Sequence, residues 1–221
     1  MKYYPVFLRV AGRRCVVVGG GKVAEQKVQS LVRAGARVTV VSPEVTPRIA
    51  ALAATSQIEH QRRAYGRGDL HGSFLAYAAT DDEHIQQQVA REAEDAGVLL
   101  NVVDRPQLCD FIAPSVVERG DLVVATSTGG ASPALAKRIR QDLQDVFGPE
   151  YDVALRLLRR LRDRLAGQSL PAVERQRILS SLANSPLLEY LRQRRTHEVD
   201  RLLAETVGDG VSLATLGMEI S

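Results

Sequence analysis

Residues 15–24 read CVVVGGGKVA: a continuous apolar run that breaks into three glycines and reopens, with no spacer, on a helical pattern. The run Cys15–Val18 is strand-like, and Ala24, Val28, Leu31 and Val32 then form one apolar helical stripe before Gly35 ends it. A strand, a glycine turn and a helix in immediate succession are the opening of a parallel βαβ unit. Gly19, Gly21 and Ala24 fit the spacing G-x-G-x-x-A. In that spacing the first glycine allows a tight turn, the second lets the backbone approach a pyrophosphate, and the small third residue lets helix and strand pack closely. The residues between, Lys22 and Val23, open the helix whose free amides would face the phosphates. A glycine turn needed only for packing is the competing reading.

The alternation continues. ARVTVVSP, QIEHQRRAY, FLAYAATDD and VLLNVVD read as further strands, with VTPRIAALAA and DEHIQQQVAREAEDAG as crossover helices. Strands that are apolar throughout predict a parallel sheet covered on both faces, so the expected class is α/β of Rossmann type. Past residue 110 the rhythm changes. IAPSVVERGDLVVATST reads as a hairpin about Glu118–Asp121, and Ser132 with Pro133 opens another helix. The rest is helical to about Glu205, interrupted near 167–171 and 184–186, and the glycine-containing tail from Val207 reads as loosely ordered. The expected organisation is a dinucleotide-binding domain over 1–112, a hairpin and helix segment over 113–148, and a helical module over 149–221.

Ligands of open parallel sheets lie across the carboxyl ends of the strands. This rule selects Ser42, Pro43 and Glu44 after the second strand, Thr80 after the fourth, and Asn101, Val102 and Asp104 at the fifth. The second strand lacks the usual ribose-binding acid at its end, but Ser42 or Glu44 can take that role, and no arginine stands there to receive a 2′-phosphate. NAD is therefore expected over NADP, with Arg48 keeping NADP open. Asp104 can be a general base beside a nicotinamide, an Asx turn ahead of Pro106, or a partner for Arg105.

Composition excludes several classes. Net charge is +3, but only 5% of residues are aromatic and none is tryptophan, which argues against nucleic-acid binding. No apolar run approaches the roughly 20 residues that span a bilayer, and the N-terminus lacks the pattern of a signal peptide. With two cysteines, Cys15 and Cys109, a disulfide framework has too few members, and a cytoplasmic protein is expected. The four histidines, His60, His71, His84 and His197, have no ligand spacing, so no metal site is expected. Arginines cluster after Lys137 in runs such as RLLRRLRDR, either as a solvated helix face or as a surface for an anionic ligand.

Taken in order, GRRCVVVGGGKVAEQK, ARVTVVSP, AATDD, NVVDRP and STGGASPALAKRIR resemble the precorrin-2 dehydrogenase family of sirohaem biosynthesis over residues 3 to about 145. Relatives include the N-terminal part of trifunctional sirohaem synthases and bifunctional dehydrogenase–ferrochelatases. The resemblance implies oxidation of precorrin-2 to sirohydrochlorin with NAD+ as hydride acceptor, and homodimers formed through the segment after the nucleotide domain. It makes Asp104 the family's essential aspartate, and puts Val23 and the Pro43–Glu44 corner against NAD. It places Thr128, often serine in the family, with Gly129 and Ser132 in a loop facing the tetrapyrrole. Lys137 and the later arginines would meet the substrate's carboxylates. Fe2+ as a second substrate is allowed by the bifunctional members, and methylation is expected to be carried out by another chain. A dimeric NAD-sensing regulatory domain without tetrapyrrole chemistry is the alternative from a different class.

Overall fold

The computed structural model describes residues 2–219, and the chain divides into two compact units with the boundary between Ala113 and Pro114. The first unit contains β1 (Arg14–Val18), α1 (Lys22–Arg33), β2 (Arg37–Val41), α2 (Pro47–Ala54), β3 (Glu59–Gln61), β4 (Leu75–Ala78), α3 (Glu83–Ala96) and β5 (Leu99–Val102). All pairings are parallel and the strand order is β3-β2-β1-β4-β5, the doubly wound arrangement. The apolar strands are explained by burial on both faces. Cys15, Val17, Val38, Val40, Leu75 and Tyr77 pack with Ala24, Val28 and Ile49 of α1 and α2. Their neighbours Val16, Val18, Val41, Ala76, Leu100 and Val102 pack on the other side with Val89 and Ala93 of α3.

Local signals set the helix ends. Thr46 accepts a hydrogen bond from the Ile49 amide at 3.3 Å and is followed by Pro47 at the first position of α2. Asp82 accepts from the amides of His84 and Ile85 and caps α3, which stops where Gly97 takes φ +63°. No helix among the described residues is long and apolar enough to cross a membrane.

The second unit begins with β6 (Ser115–Arg119) and β7 (Leu122–Thr126), an antiparallel hairpin turning through Gly120 and Asp121, followed by α4 (Pro133–Val146). Helices α5 (Glu150–Ala166), α6 (Ala172–Ala183), α7 (Leu187–Arg192) and α8 (Thr196–Val207) complete it. The two expected interruptions fall between α5 and α6 and between α6 and α7. Leu157, Leu161 and Leu165 of α5 meet Ile178, Leu182, Leu187, Leu191, Val199 and Leu203 in one core.

The tail differs from the expectation of loose order. Val211, Leu213, Leu216 and Met218 are buried in this same core. The Leu213 amide donates to Asp200 at 2.6 Å, and Arg160 donates to the Leu216 carbonyl at 2.6 Å. Glycine and serine hide the pattern here because the four apolar residues follow neither a helical nor a strand period; the bundle surface selects them.

Glu150, at the start of α5, is 3% exposed in its side chain and accepts from Arg192 of α7 at 2.7 Å. Burial alone would raise its pKa, but the Arg192 guanidinium and nearby amides hold it below the usual glutamate range. A depressed carboxylate stabilises the fold above its unfolded titration range and loses that contribution as pH falls through its folded one. Arg192→Ala is therefore expected to lower the melting temperature by several degrees at neutral pH, with the difference shrinking toward pH 4; denaturant titrations at both pH values check this.

Candidate functional site

Register brings the strand ends together. Val41 of β2, Val18 of β1, Ala78 of β4 and Val102 of β5 stand in one row, so the segments after them leave the sheet at the same edge. These segments carry Gly19–Gly21, Ser42–Glu44, Ala79–Thr80 and Val103–Asp104. The order reverses between β1 and β4, which makes this edge the topological switch point where such sheets bind ligands.

The three glycines do different work. Gly19 has φ +114°, and a Cβ there would lie 2.2 Å from the Ala79 carbonyl oxygen. A Cβ on Gly20 would lie 1.9 Å from the Glu44 carbonyl oxygen and 2.8 Å from Ser42 Oγ. Both positions are needed to bring the β1, β2 and β4 ends together. Gly21 is not: its φ of −78° suits any residue, and a Cβ there would meet nothing within 4 Å. The packing reading therefore accounts for Gly19 and Gly20 but leaves Gly21 without a structural reason. Gly21 precedes α1, whose first amides, at Lys22, Val23 and Ala24, have no acceptor within the helix. Lys22 and Val23 are exposed, whereas Ala24 is fully buried and lets α1 lie against the sheet.

At the end of β2 the hydroxyl of Ser42 donates to the Glu44 carbonyl at 2.6 Å and is buried behind Gly20. Pro43 and Glu44 are exposed, and the Glu44 carboxylate has no hydrogen-bond or ion-pair partner among the described residues. Of the two candidates for a ribose hydroxyl, Glu44 is the one with its side chain available. After β4, Thr80 receives the Asp82 backbone amide on its hydroxyl and the Gln86 side-chain Nε2 on its carbonyl, bracing the start of α3.

The segment around Asp104 is a turn rather than the last residue of a strand. β5 ends at Val102; the Val103 amide still donates to Ala78 at 3.0 Å, and the Arg105 amide closes back to the Val102 carbonyl at 3.3 Å. Asp104 has φ +59°, a region that aspartate enters seldom and glycine freely. Its carboxylate is exposed and has no hydrogen-bond or ion-pair partner among the described residues. Arg105 instead pairs with Glu83 on α3. Both bland readings of Asp104, the Asx turn and the Arg105 partner, thus lack the contact they require. Asn101 and Val102 are buried below this edge: Asn101 donates to the Phe111 carbonyl at 2.9 Å, and Val102 belongs to the core facing α3.

In the second unit, Thr128 Oγ1 accepts from the Ser132 amide at 3.2 Å and donates to its carbonyl at 3.1 Å, closing the STGGAS loop. Ser132 Oγ caps α4 by accepting from Leu135 at 3.2 Å. Gly129 and Gly130 form the exposed tip with φ of +64° and +89°, and Lys137 is exposed on α4.

Two family models match the chain: a putative NAD(P)-binding family over residues 6–115, and the sirohaem biosynthesis protein central family over residues 119–145. The sirohaem synthase of Thioalkalivibrio sulfidiphilus is 36% identical over 220 residues, covering 100% of this chain and 45% of that protein. That of Stutzerimonas stutzeri is 38% identical over 217 residues, covering 98% and 46%. The chain thus spans about half the length of the curated relatives it matches. A solved structure named SirC, precorrin-2 dehydrogenase, superposes with a TM-score of 0.79 at 28% identity, covering 92% of this chain and 98% of that one. In sequence and in fold the chain is similar to these proteins of sirohaem biosynthesis.

The arginine-rich helices are tied largely into their own unit. Arg156 pairs with Asp152, Arg159 with Asp121, Arg177 with Glu174 and Arg192 with Glu150. These contacts favour the reading of a solvated helix face. The sequence gives no local sign of Gly20, whose reason is a carbonyl 24 residues further on, or of Cys109, whose hydrogen-bond partners are all backbone. Among the described residues no group of three or more His, Cys, Asp or Glu side chains is arranged to hold a metal.

Proposed function

We propose that the protein oxidises precorrin-2 to sirohydrochlorin with NAD+, and that Asp104 is the general base. The observation that carries this reading is the Asp104 carboxylate: it is unpartnered among the described residues, held in a left-handed turn, and carried at the same sheet edge as the glycine turn. Backbone strain of this kind is retained where a side chain is needed in a particular place. The likeness to sirohaem synthases and to SirC supports the substrate.

The sheet edge fits a dinucleotide on its own terms. Gly21 leaves open the space a Cβ would fill, α1 offers its unpaired amides to a pyrophosphate, and Glu44 offers a carboxylate to ribose hydroxyls. Val23, Pro43 and Thr80 are carried forward as the dinucleotide's surroundings, with Asn101 and Val102 buried beneath the edge as its support. Bound NAD+ supplies the hydride acceptor. The chain's own part is to hold the macrocycle beside that acceptor and to take the proton: as one C–H bond of precorrin-2 gives up its electron pair with the hydride, Asp104 accepts a proton from the macrocycle. Two hydrogens leave the substrate, one as hydride and one on the carboxylate. For the tetrapyrrole we carry forward Thr128, Gly129, Ser132 and Lys137, with the Thr128 and Ser132 hydroxyls shaping the loop. Fe2+ insertion would draw on the same carboxylate.

The second unit supports a homodimer through residues 113–147. Helix α4 is 14 residues long and buries none of them within the chain, with Leu135 and Val146 each more than half exposed.

Anaerobic incubation of precorrin-2 with NAD+ is expected to yield NADH and sirohydrochlorin in equal amounts, followed by absorbance. Intact dinucleotide binding without turnover would move the protein to the sensor class. Preference for NAD+ over NADP+ is assigned to Glu44, whose charge would repel a 2′-phosphate. Glu44→Gln is expected to lower the ratio of the two kcat/KM values by about tenfold, or ~1.4 kcal/mol.

A further inference from the structure

Asp104 is exposed, yet the residues on either side of it are tied down by contacts that the fold of the return segment does not need. Residues 109–111 run back along β5 and are already fastened there: the Asp110 amide donates to Leu100, the Asp110 carboxylate accepts from the Leu100 amide at 2.9 Å, and Asn101 donates to Phe111. Cys109 adds a different set. Its sulfur lies 3.2 Å from both the amide nitrogen and the carbonyl oxygen of Val102, and 3.3 Å from the carbonyl oxygen of Arg105. Val102 and Arg105 are the first and last residues of the turn that carries Asp104. Burial pushes the Cys109 thiol up, so at neutral pH it keeps the proton it shares between the two carbonyls. On the other side the Arg105 guanidinium is held by Glu83 in the first turn of α3.

We propose that Cys109 is a positioning residue: its thiol bridges the two ends of the Val102–Arg105 turn and, together with the Glu83–Arg105 pair, keeps Asp104 in its left-handed conformation with the carboxylate aimed out of the sheet edge. This rests on the reading of Asp104 as the general base, and it extends that reading to the device that fixes the base. A turn with φ +59° at aspartate relaxes toward commoner conformations unless its flanks are held. A carboxylate displaced by about 1 Å can lose a hundredfold in rate.

The test compares Cys109→Ala, which deletes the bridge, with Cys109→Ser, which keeps a donor and acceptor of similar size. Cys109→Ala is expected to lower kcat by about tenfold with KM for NAD+ and precorrin-2 changed less than about twofold, and Cys109→Ser to restore most of the rate. In an Asp104→Asn background Cys109→Ala should add no further loss, because the thiol acts through the carboxylate. An equal loss in the serine and alanine variants, or an additive loss in the double variant, overturns the positioning role. Amide hydrogen exchange of the ligand-free protein reads the bridge without any turnover. Cys109→Ala should speed exchange at Arg105, whose amide closes the turn, and leave Leu100 unchanged. Unaltered exchange at Arg105 overturns the bridge itself. A wild type that binds NAD+ but makes no NADH overturns the dehydrogenase reading and the catalytic consequence with it, while the exchange rates still report whether the thiol holds the turn.

Discussion

Asp104→Gly is expected to remove most of the turnover and to leave the fold as stable as before. At φ +59° a non-glycine residue costs about 1–2 kcal/mol, which glycine would relieve. The greater freedom of glycine in the unfolded chain offsets roughly 0.5–1 kcal/mol of that gain. The balance is near zero or slightly stabilising, so the backbone gives no reason for aspartate here. General base catalysis, in contrast, is worth about 10²–10⁴-fold in rate. Asp104→Asn, which keeps the shape and tolerates the same conformation, should lose a similar factor in kcat. Dinucleotide binding is expected to stay within about twofold in both, since the base contributes to chemistry rather than to holding the cofactor. Thermal unfolding, NAD+ titration and anaerobic NADH formation measure the three quantities separately. Retention of activity within about threefold in either variant would sink the role assigned to Asp104.

The contrast between Asp104 and its surroundings also marks what a sequence can and cannot say. The strand, glycine turn and helix of residues 14–33 were legible because periodicity and glycine spacing are local, and the register that lines up Val41, Val18, Ala78 and Val102 follows from them. That Asp104 falls at the carboxyl edge of the sheet was legible too. Its turn was not, because φ at one residue is set by the closure from Arg105 to Val102 and by a sulfur five residues further on. The competing roles for Asp104 could not be separated in the sequence either; the choice depends on Glu83, which is 22 residues from Arg105 and claims its guanidinium. The packed tail was hidden for the same reason. Leu213 and Met218 have no periodic partner near them and acquire one only when α5 and α8 supply a surface.

The glycine turn offers a sharper separation of fold from function, because adjacent residues of one type are expected to fail in different ways. Gly20→Ala would drive a methyl group to 1.9 Å from the Glu44 carbonyl oxygen, and Gly19→Ala would do the same against Ala79 at 2.2 Å while straining φ +114°. Neither neighbour is a flexible side chain that can swing aside; both are backbone in the segments that follow β2 and β4. Each substitution is expected to cost about 3 kcal/mol or more, enough to lower the melting temperature by 10 °C or so in a unit of this size. Gly21→Ala meets no protein atom within 4 Å and needs no unusual φ. Its structural cost is that of a poorer residue at the start of α1, about 1 kcal/mol at most. The added methyl instead stands where a pyrophosphate must approach the helix amides, and NAD+ affinity should fall by about a hundredfold, or ~2.7 kcal/mol. Calorimetry for stability and direct titration for NAD+ distinguish the two outcomes. A Gly21→Ala protein that binds NAD+ as tightly as the wild type would remove the dinucleotide from this turn, and with it the argument that Gly21 is present for a ligand rather than for the fold.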